Sequence, residues 1–158
     1  MYNRVVIPLD GSELAEAILP FAEKIAGPLD AEVVLVRSVE PVAPGEALAS
    51  AGLVPPDTLS LREAEAHEYL AAVASRLSAK GLRVRTAVRI GFAATEIVAT
   101  AVSTGCDLIA MSTHGRSGLR RVLFGSVAES VLRTASVPVL MVRMTAAAPA
   151  VTTETTGR

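Results

Sequence analysis

Short runs of apolar, β-branched residues alternate along this chain with longer segments of helical periodicity. Arg4-Val5-Val6-Ile7-Pro8-Leu9 has strand character and stops at Asp10-Gly11-Ser12, a turn and helix-start signal. Leu14, Ile18, Phe21 and Ile25 recur at helical spacing and predict a helix from Glu13 to Ala26, kinked at Pro20 and ended by Gly27-Pro28. Glu32 to Val39 reads as a second strand, and Glu40 to Asp57, rich in Pro, Ala and Gly, as a long loop. Ser60 with Glu63 forms a capping-box pattern for a helix reaching about Lys80, with Gly81 as its C-cap. Leu82 to Ile90 alternates apolar residues with arginines, as a strand with one wetter face does.

Gly91-Phe92-Ala93 then leads into a helix from Thr95 to Ser103 that ends at Gly105. Cys106 to Met111 predicts a fourth strand, a glycine-containing loop starts at Ser112, and Ser126 with Glu129 marks a capping box for a helix to about Thr134. Pro138 to Arg143 is a fifth strand whose opening proline suits a sheet edge. Such alternation implies a single α/β domain, a doubly wound parallel sheet with helices on both faces. Ligands bind such sheets outside the carboxyl ends of the strands, where the winding reverses. The Asp10 turn and the segment 112–126 both follow strand carboxyl ends, and they line one crevice if strands one and four are neighbours.

Composition narrows the ligand. The 158 residues suffice for one core without disulfides or metal, and hydrophobic residues make up 51% of them with only 3% aromatic. Few rings are available to stack single-stranded bases, and a net charge of −1 offers no general attraction to nucleic acid or an anionic membrane. No apolar run reaches the about 20 residues needed to span a bilayer, and no charged segment followed by an apolar one opens the chain. With a single cysteine, Cys106, these features lead us to expect a cytoplasmic protein. Two histidines and one cysteine lie too far apart for zinc spacing; His67 reads as a surface residue and Cys106 as a small buried hydrophobe.

The candidate chemistry sits between Met111 and Val127. Glycines, the basic side chains Arg116, Arg120 and Arg121, and Gly125-Ser126 at a helix start suit a phosphate, because helix-terminal N–H groups and the helix dipole both favour an anion. The same residues also suit a turn before a capped helix. His114 is open to either a phosphate contact or a turn role, and Asp10 to turn capping. Neither G-x-x-x-x-G-K-[ST] nor G-x-G-x-x-G occurs.

Pro8-Leu9-Asp10-Gly11-Ser12, Ser112-Thr113-His114-Gly115-Arg116-Ser117-Gly118, Gly125-Ser126-Val127-Ala128-Glu129 and Val137-Pro138-Val139-Leu140-Met141-Val142 together resemble the universal stress protein family, collinearly over about residues 2–143. The resemblance implies a five-stranded sheet of order 3-2-1-4-5, a domain over 1–143 and a tail, 144–158, expected to be disordered. An ATP-binding subgroup of that family carries glycine, two residues, glycine, nine residues, then Gly-Ser or Gly-Thr. Here Gly115, Arg116 to Phe124 and Gly125-Ser126 match, and Ser112 stands in place of the first glycine.

Carried over by position, Met111 and the backbone near Leu9 and Ser38 border adenine and ribose. Asp10 approaches the ribose hydroxyls or a phosphate bearing Mg²⁺. Gly115, Arg116, Ser117, Gly125, Ser126 and Val127 cradle phosphates, and Pro8, Ser112, Thr113, His114 and Gly118 complete the nucleotide-binding set. The ligand implied is ATP, with AMP or ADP as variants, in a homodimer paired antiparallel through Val139–Val142 and acting on an unidentified regulatory partner. Two further readings stand beside it: an interaction module whose pocket Ser112 has closed, and an ATPase whose turnover is very slow or absent. Hydrolysis needs an oriented water, a base and usually a metal, and Asp10 is the only obvious candidate.

Overall fold

A computed structural model describes residues 2–41, 58–114 and 125–144. The strands are β1 (Arg4–Pro8), β2 (Glu32–Val39), β3 (Val84–Ile90), β4 (Leu108–His114) and β5 (Val139–Met144). The helices are α1 (Glu13–Glu16), α2 (Leu19–Leu29), α3 (Thr58–Ser78), α4 (Ala93–Thr104) and α5 (Ser126–Thr134). All strand pairs are parallel and the order is β3-β2-β1-β4-β5. The near-continuous apolar runs of β1, β2 and β4 are what a sheet covered on both faces demands.

Alternation along the strands divides the core in two. Val5, Ile7, Val33, Leu35, Leu108 and Ala110 face α2 and α3, where Ile18, Ala22, Leu70, Val73 and Leu77 cover them. Val6, Val34, Val36, Ile109 and Met111 face α4 and α5, meeting Ile97, Ala101, Ala128 and Val131. Right-handed crossovers explain the division. The chain steps outward from β1 to β3 with its helices on one face, then reverses to β4 and β5 and lays its helices on the other.

The reversal happens between β1 and β4, and their pairing is short. It registers Val5 with Leu108 and Val6 with Ile109 and goes no further, whereas β4 and β5 stay in register from Ile109–Val139 to His114–Met144. At its base the pair is fixed by Asp107, whose carboxylate accepts the backbone N–H of Asn3 (2.8 Å) and of Arg4 (3.2 Å). Arg4 thus turns its main chain toward β4, and by alternation so do Val6 and Pro8. Pro8 has no N–H to give. Leu9 instead donates to Val36 O at 2.9 Å, so β1 continues along β2 while β4 parts from it.

Several boundaries differ from the expectation. The helix expected over Glu13–Ala26 is two helices, because Pro20 has no N–H for the Glu16 carbonyl and its ring would strike it. The break falls just ahead, and Pro20 sits in the first turn of α2, where no donor is required. The helix then runs through Gly27-Pro28 to Leu29 and ends on Asp30 in the left-handed region (φ 49°), with Ala31 N–H bonded to Ala26 O at 2.9 Å. The new start turns Phe21 outward, leaving it 41% exposed instead of in the core.

Thr58 begins α3, so Ser60 lies inside the helix and is no cap. Gly105 (φ 65°) ends α4 as expected. Strand β4 starts later than Cys106 and runs to His114, so Ser112, Thr113 and His114 belong to the strand. Cys106 is buried, as expected of a small hydrophobe, and burial pushes its thiol pKa up. The tail after Met144 lies outside the described residues, as does the expected loop from Val42 onward.

Ile7, fully buried at the centre of the sheet, provides a test of this packing. Ile7→Ala should lower the free energy of unfolding by about 2–5 kcal/mol, read as a shifted urea midpoint at constant slope.

Candidate functional site

Where β1 and β4 part, a cleft of about 260 Å³ opens above the carboxyl ends of the strands. Its floor is apolar: Leu9, Val36, Ile97 and Met111 are all buried. Its rim is mostly polar and comes from three segments. Asp10 and Ser12 follow β1, Ser38 is the last residue but one of β2, and Gly125, Ser126 and Val127 open α5. Pro8, Leu9, Asp10, Ser38, Met111, Ser112, Gly125, Ser126 and Val127, all expected at the site, are therefore brought together around one cleft.

Thr113 is buried one position along β4 and is not among the cleft residues; its hydroxyl has no hydrogen-bond partner among the described residues. His114 ends the strand. Gly115, Arg116, Ser117 and Gly118, with Arg120 and Arg121, lie outside the described residues. Leu14, Ala15, Val36, Ala93 and Ile97 also line the cleft and were not expected. Their signal was available only in part: apolar residues at strand ends and first helical turns read equally well as core.

The Asp10 turn is built by its own side chains. The Asp10 carboxylate accepts the N–H of Ser12 at 2.8 Å, and the Ser12 hydroxyl, as N-cap of α1, accepts the N–H of Ala15 at 3.1 Å. One carboxylate oxygen is used locally, and Asp10 itself is exposed on the rim. On the far side of α1, Glu16 accepts from Tyr69 Oη (2.9 Å) and Arg76 Nη2 (2.6 Å). The Arg76 bond holds the Glu16 carboxyl below its ordinary pKa despite partial burial, and Tyr69 adds to the effect. Burial, reinforced by the Glu16 charge, drives the Tyr69 phenol well above its ordinary value.

The opposite wall departs from the expected capping box. Gly125, not Ser126, is the N-cap of α5 and supplies no side-chain bond; Ser126 is the first helical residue. Glu129 pairs with Arg133 at 2.5 Å and does not reach back to the helix start. The opening turn of α5 thus presents its N–H groups beside the cleft with no cap from Gly125, an arrangement that favours an anion.

Two serines differ in role from a simple lining. Ser38 donates to Gly91 O at 2.5 Å, tying the end of β2 to the turn before α4. That turn needs glycine, since Gly91 has φ +150° and a Cβ there would lie 2.7 Å from Glu96 Oε1. Ser112 donates to the carbonyl of Leu14, so its hydroxyl is engaged by protein.

Comparison with known proteins agrees with this architecture. Residues 1–143 match the model of the universal stress protein family. The chain belongs to that family. Universal stress protein MJ0531 of Methanocaldococcus jannaschii is 38% identical over 143 residues, covering 90% of this chain and 83% of that protein. The solved structure of MJ0577 superposes with a TM-score of 0.76 at 27% identity, covering 93% of this chain and 99% of that one. A universal stress protein from Archaeoglobus fulgidus, solved in complex with dAMP, has the same fold (TM-score 0.63, 23% identity, 89% of this chain and 97% of that one). Among the described residues no helix is long and apolar enough to cross a membrane, and no three His, Cys, Asp or Glu side chains gather as a metal site.

The Glu16 bonds have a pH signature. A depressed carboxylate pKa contributes stability above the unfolded value of about 4.5 and loses it as pH falls through the folded value. Glu16→Gln should therefore lower stability at neutral pH by less than about 1 kcal/mol. Denaturant unfolding of both proteins should show that difference shrinking toward zero on acidification below the ordinary carboxylate range.

Proposed function

We propose that this universal stress protein binds an adenine nucleotide, ATP in the first instance, in the cleft between β1 and β4, and that occupancy regulates a partner in the cytoplasm. The observation that carries the reading is the pairing of an apolar slot with the start of α5, which Gly125 leaves without a side-chain cap: a flat base fits the first and a phosphate the second. The dAMP complex of the Archaeoglobus relative supports the same ligand class.

In this reading Met111, Leu9 and Ser38 border the base and ribose, and Asp10 faces the ribose hydroxyls or a phosphate-bound Mg²⁺. Gly125, Ser126 and Val127 offer main-chain donors to phosphate, and by family resemblance Gly115, Arg116 and Ser117 belong to the same phosphate cradle. The cleft stands open with Ser112 in its wall, which argues against an interaction module whose pocket that serine has closed. A homodimer through β5 completes the proposal. Among the described residues, Val139 to Val142 form a sheet edge with no neighbouring strand on its outer side, the kind of edge that a second copy would cover.

Gly125 separates binding from folding. A Cβ there meets nothing within 4 Å and φ is ordinary, so Gly125→Val adds bulk to the cleft without strain. Titration calorimetry with Mg-ATP should give a saturable signal for the unaltered protein and at least a tenfold weaker one for Gly125→Val, with the melting temperature lowered by no more than the few degrees that a poorer N-cap costs. No heat at near-millimolar ATP would dismiss the nucleotide. For the assembly, sedimentation at micromolar protein should give twice the monomer mass; a pure monomer would dismiss the β5 pairing. Hydrolysis is expected at no more than a trace, so several turnovers per minute abolished by Asp10→Ala would make the protein an enzyme instead.

A further inference from the structure

Ser112 occupies the place of the motif's first glycine, and its hydroxyl has a specific partner. Pro20 breaks the helix behind α1, so the carbonyls of Leu14 and Ala15 come at a helix end, where the i to i+4 ladder of a continuous helix stops. Ser112, reaching from β4, donates to Leu14 O and lies 3.5 Å from Ala15 O. Among the described residues, the only main-chain donor to Leu14 O is Ala17 N–H at 3.2 Å. The bond spans 98 positions in sequence and joins the two sides of the seam where β1 and β4 have ceased to pair.

What α1 carries makes the bond matter. Ala15 N–H holds the Ser12 hydroxyl, and Ser12 N–H holds the Asp10 carboxylate. A one-turn helix has too few internal bonds to keep its own place. Outside, Glu16 pins it to Tyr69 and Arg76 on α3; inside, Ser112 pins it to β4.

We propose that Ser112 is a positioning residue: its hydroxyl fixes α1 and, through Ser12, sets the Asp10 carboxylate where the nucleotide meets it. The inference rests on the nucleotide reading above. It makes the departure from glycine a device of this chain and no defect of its site. A glycine there leaves Leu14 O with the Ala17 N–H alone; a serine adds one Cβ to the wall and gains a fixed rim.

The test uses the full chain and two readouts. Amide hydrogen exchange of the nucleotide-free protein reports the order of residues 13–19, and calorimetry with Mg-ATP reports the site. Ser112→Ala should speed exchange in 13–19 about tenfold and weaken ATP about five- to tenfold, the scale of one lost hydrogen bond. Ser112→Thr, which keeps the hydroxyl, should restore both, whereas Ser112→Val, nearly the same shape, should not; this pair decides the matter if alanine or glycine harms folding. Unchanged exchange in Ser112→Ala overturns the proposal, and so does tighter ATP binding by Ser112→Gly or faster exchange at unchanged affinity. If the unaltered protein binds no ATP, the nucleotide reading fails by itself, and the exchange of the Thr and Val variants still decides whether the hydroxyl holds α1.

Discussion

The missing N–H of Pro8 is the constraint on which the functional end of this molecule depends. A parallel sheet gains by continuing its ladder, and β1 and β4 are apolar enough to do so. At the next β4-facing position the ladder finds a ring with no donor, and β4 goes on alone with β5. Proline in a central strand ordinarily argues against the strand. Here it is tolerated because it is the last residue and because an opening is what the site requires. The apolar floor of the cleft is simply the core made visible by that parting.

Around the opening, main-chain groups are held in place by short side chains. Ser12 caps α1, Asp10 holds Ser12, Ser38 holds Gly91, and Ser112 holds Leu14. None of these is a long charged side chain, so the rim loses little conformational entropy in forming. Longer side chains work from behind: Glu16, Tyr69 and Arg76 brace α1 against α3. Arg37 stacks over the Tyr69 ring at 5.0 Å and lies close under Gly11, supporting the same turn.

Much of this was legible in the residues themselves. The five strands followed from β-branched runs, and the parallel, doubly wound architecture followed from their alternation with helices. Errors gathered where one residue answers to two rules. Pro20 read as a kink because the helical pattern continued across it, yet its clash with the preceding turn was decisive. Gly27-Pro28 read as a stop, but Pro28 falls in the last turn on the solvent side, and Asp30 takes the left-handed cap. Ser126 read as a cap because Glu129 follows at the right spacing, while Gly125, one residue earlier, already had the extended backbone of an N-cap (φ −66°, ψ 160°). The site was legible where turn chemistry marks it, at Asp10, Ser112 and Gly125. Leu14, Ala15 and Ile97 were not, because an apolar residue looks the same whether it faces core or cleft. The partner of Ser112 was beyond reach for another reason: it is a carbonyl, and every residue has one.

The short β1–β4 ladder also gives the molecule a mechanical character. β3, β2 and β1 with their helices form one plate, and β4 and β5 with theirs form another; registered pairing joins them near one end only. At the other end, among the described residues, the strands part above the apolar layer of Val36, Ile97 and Met111, and the Ser112 hydroxyl reaches across to α1. A ligand touching both Asp10 and Gly125 would therefore act as a strut. Its binding free energy would be stored across the joint least braced by the backbone, and the angle between the plates is the coordinate it would stiffen.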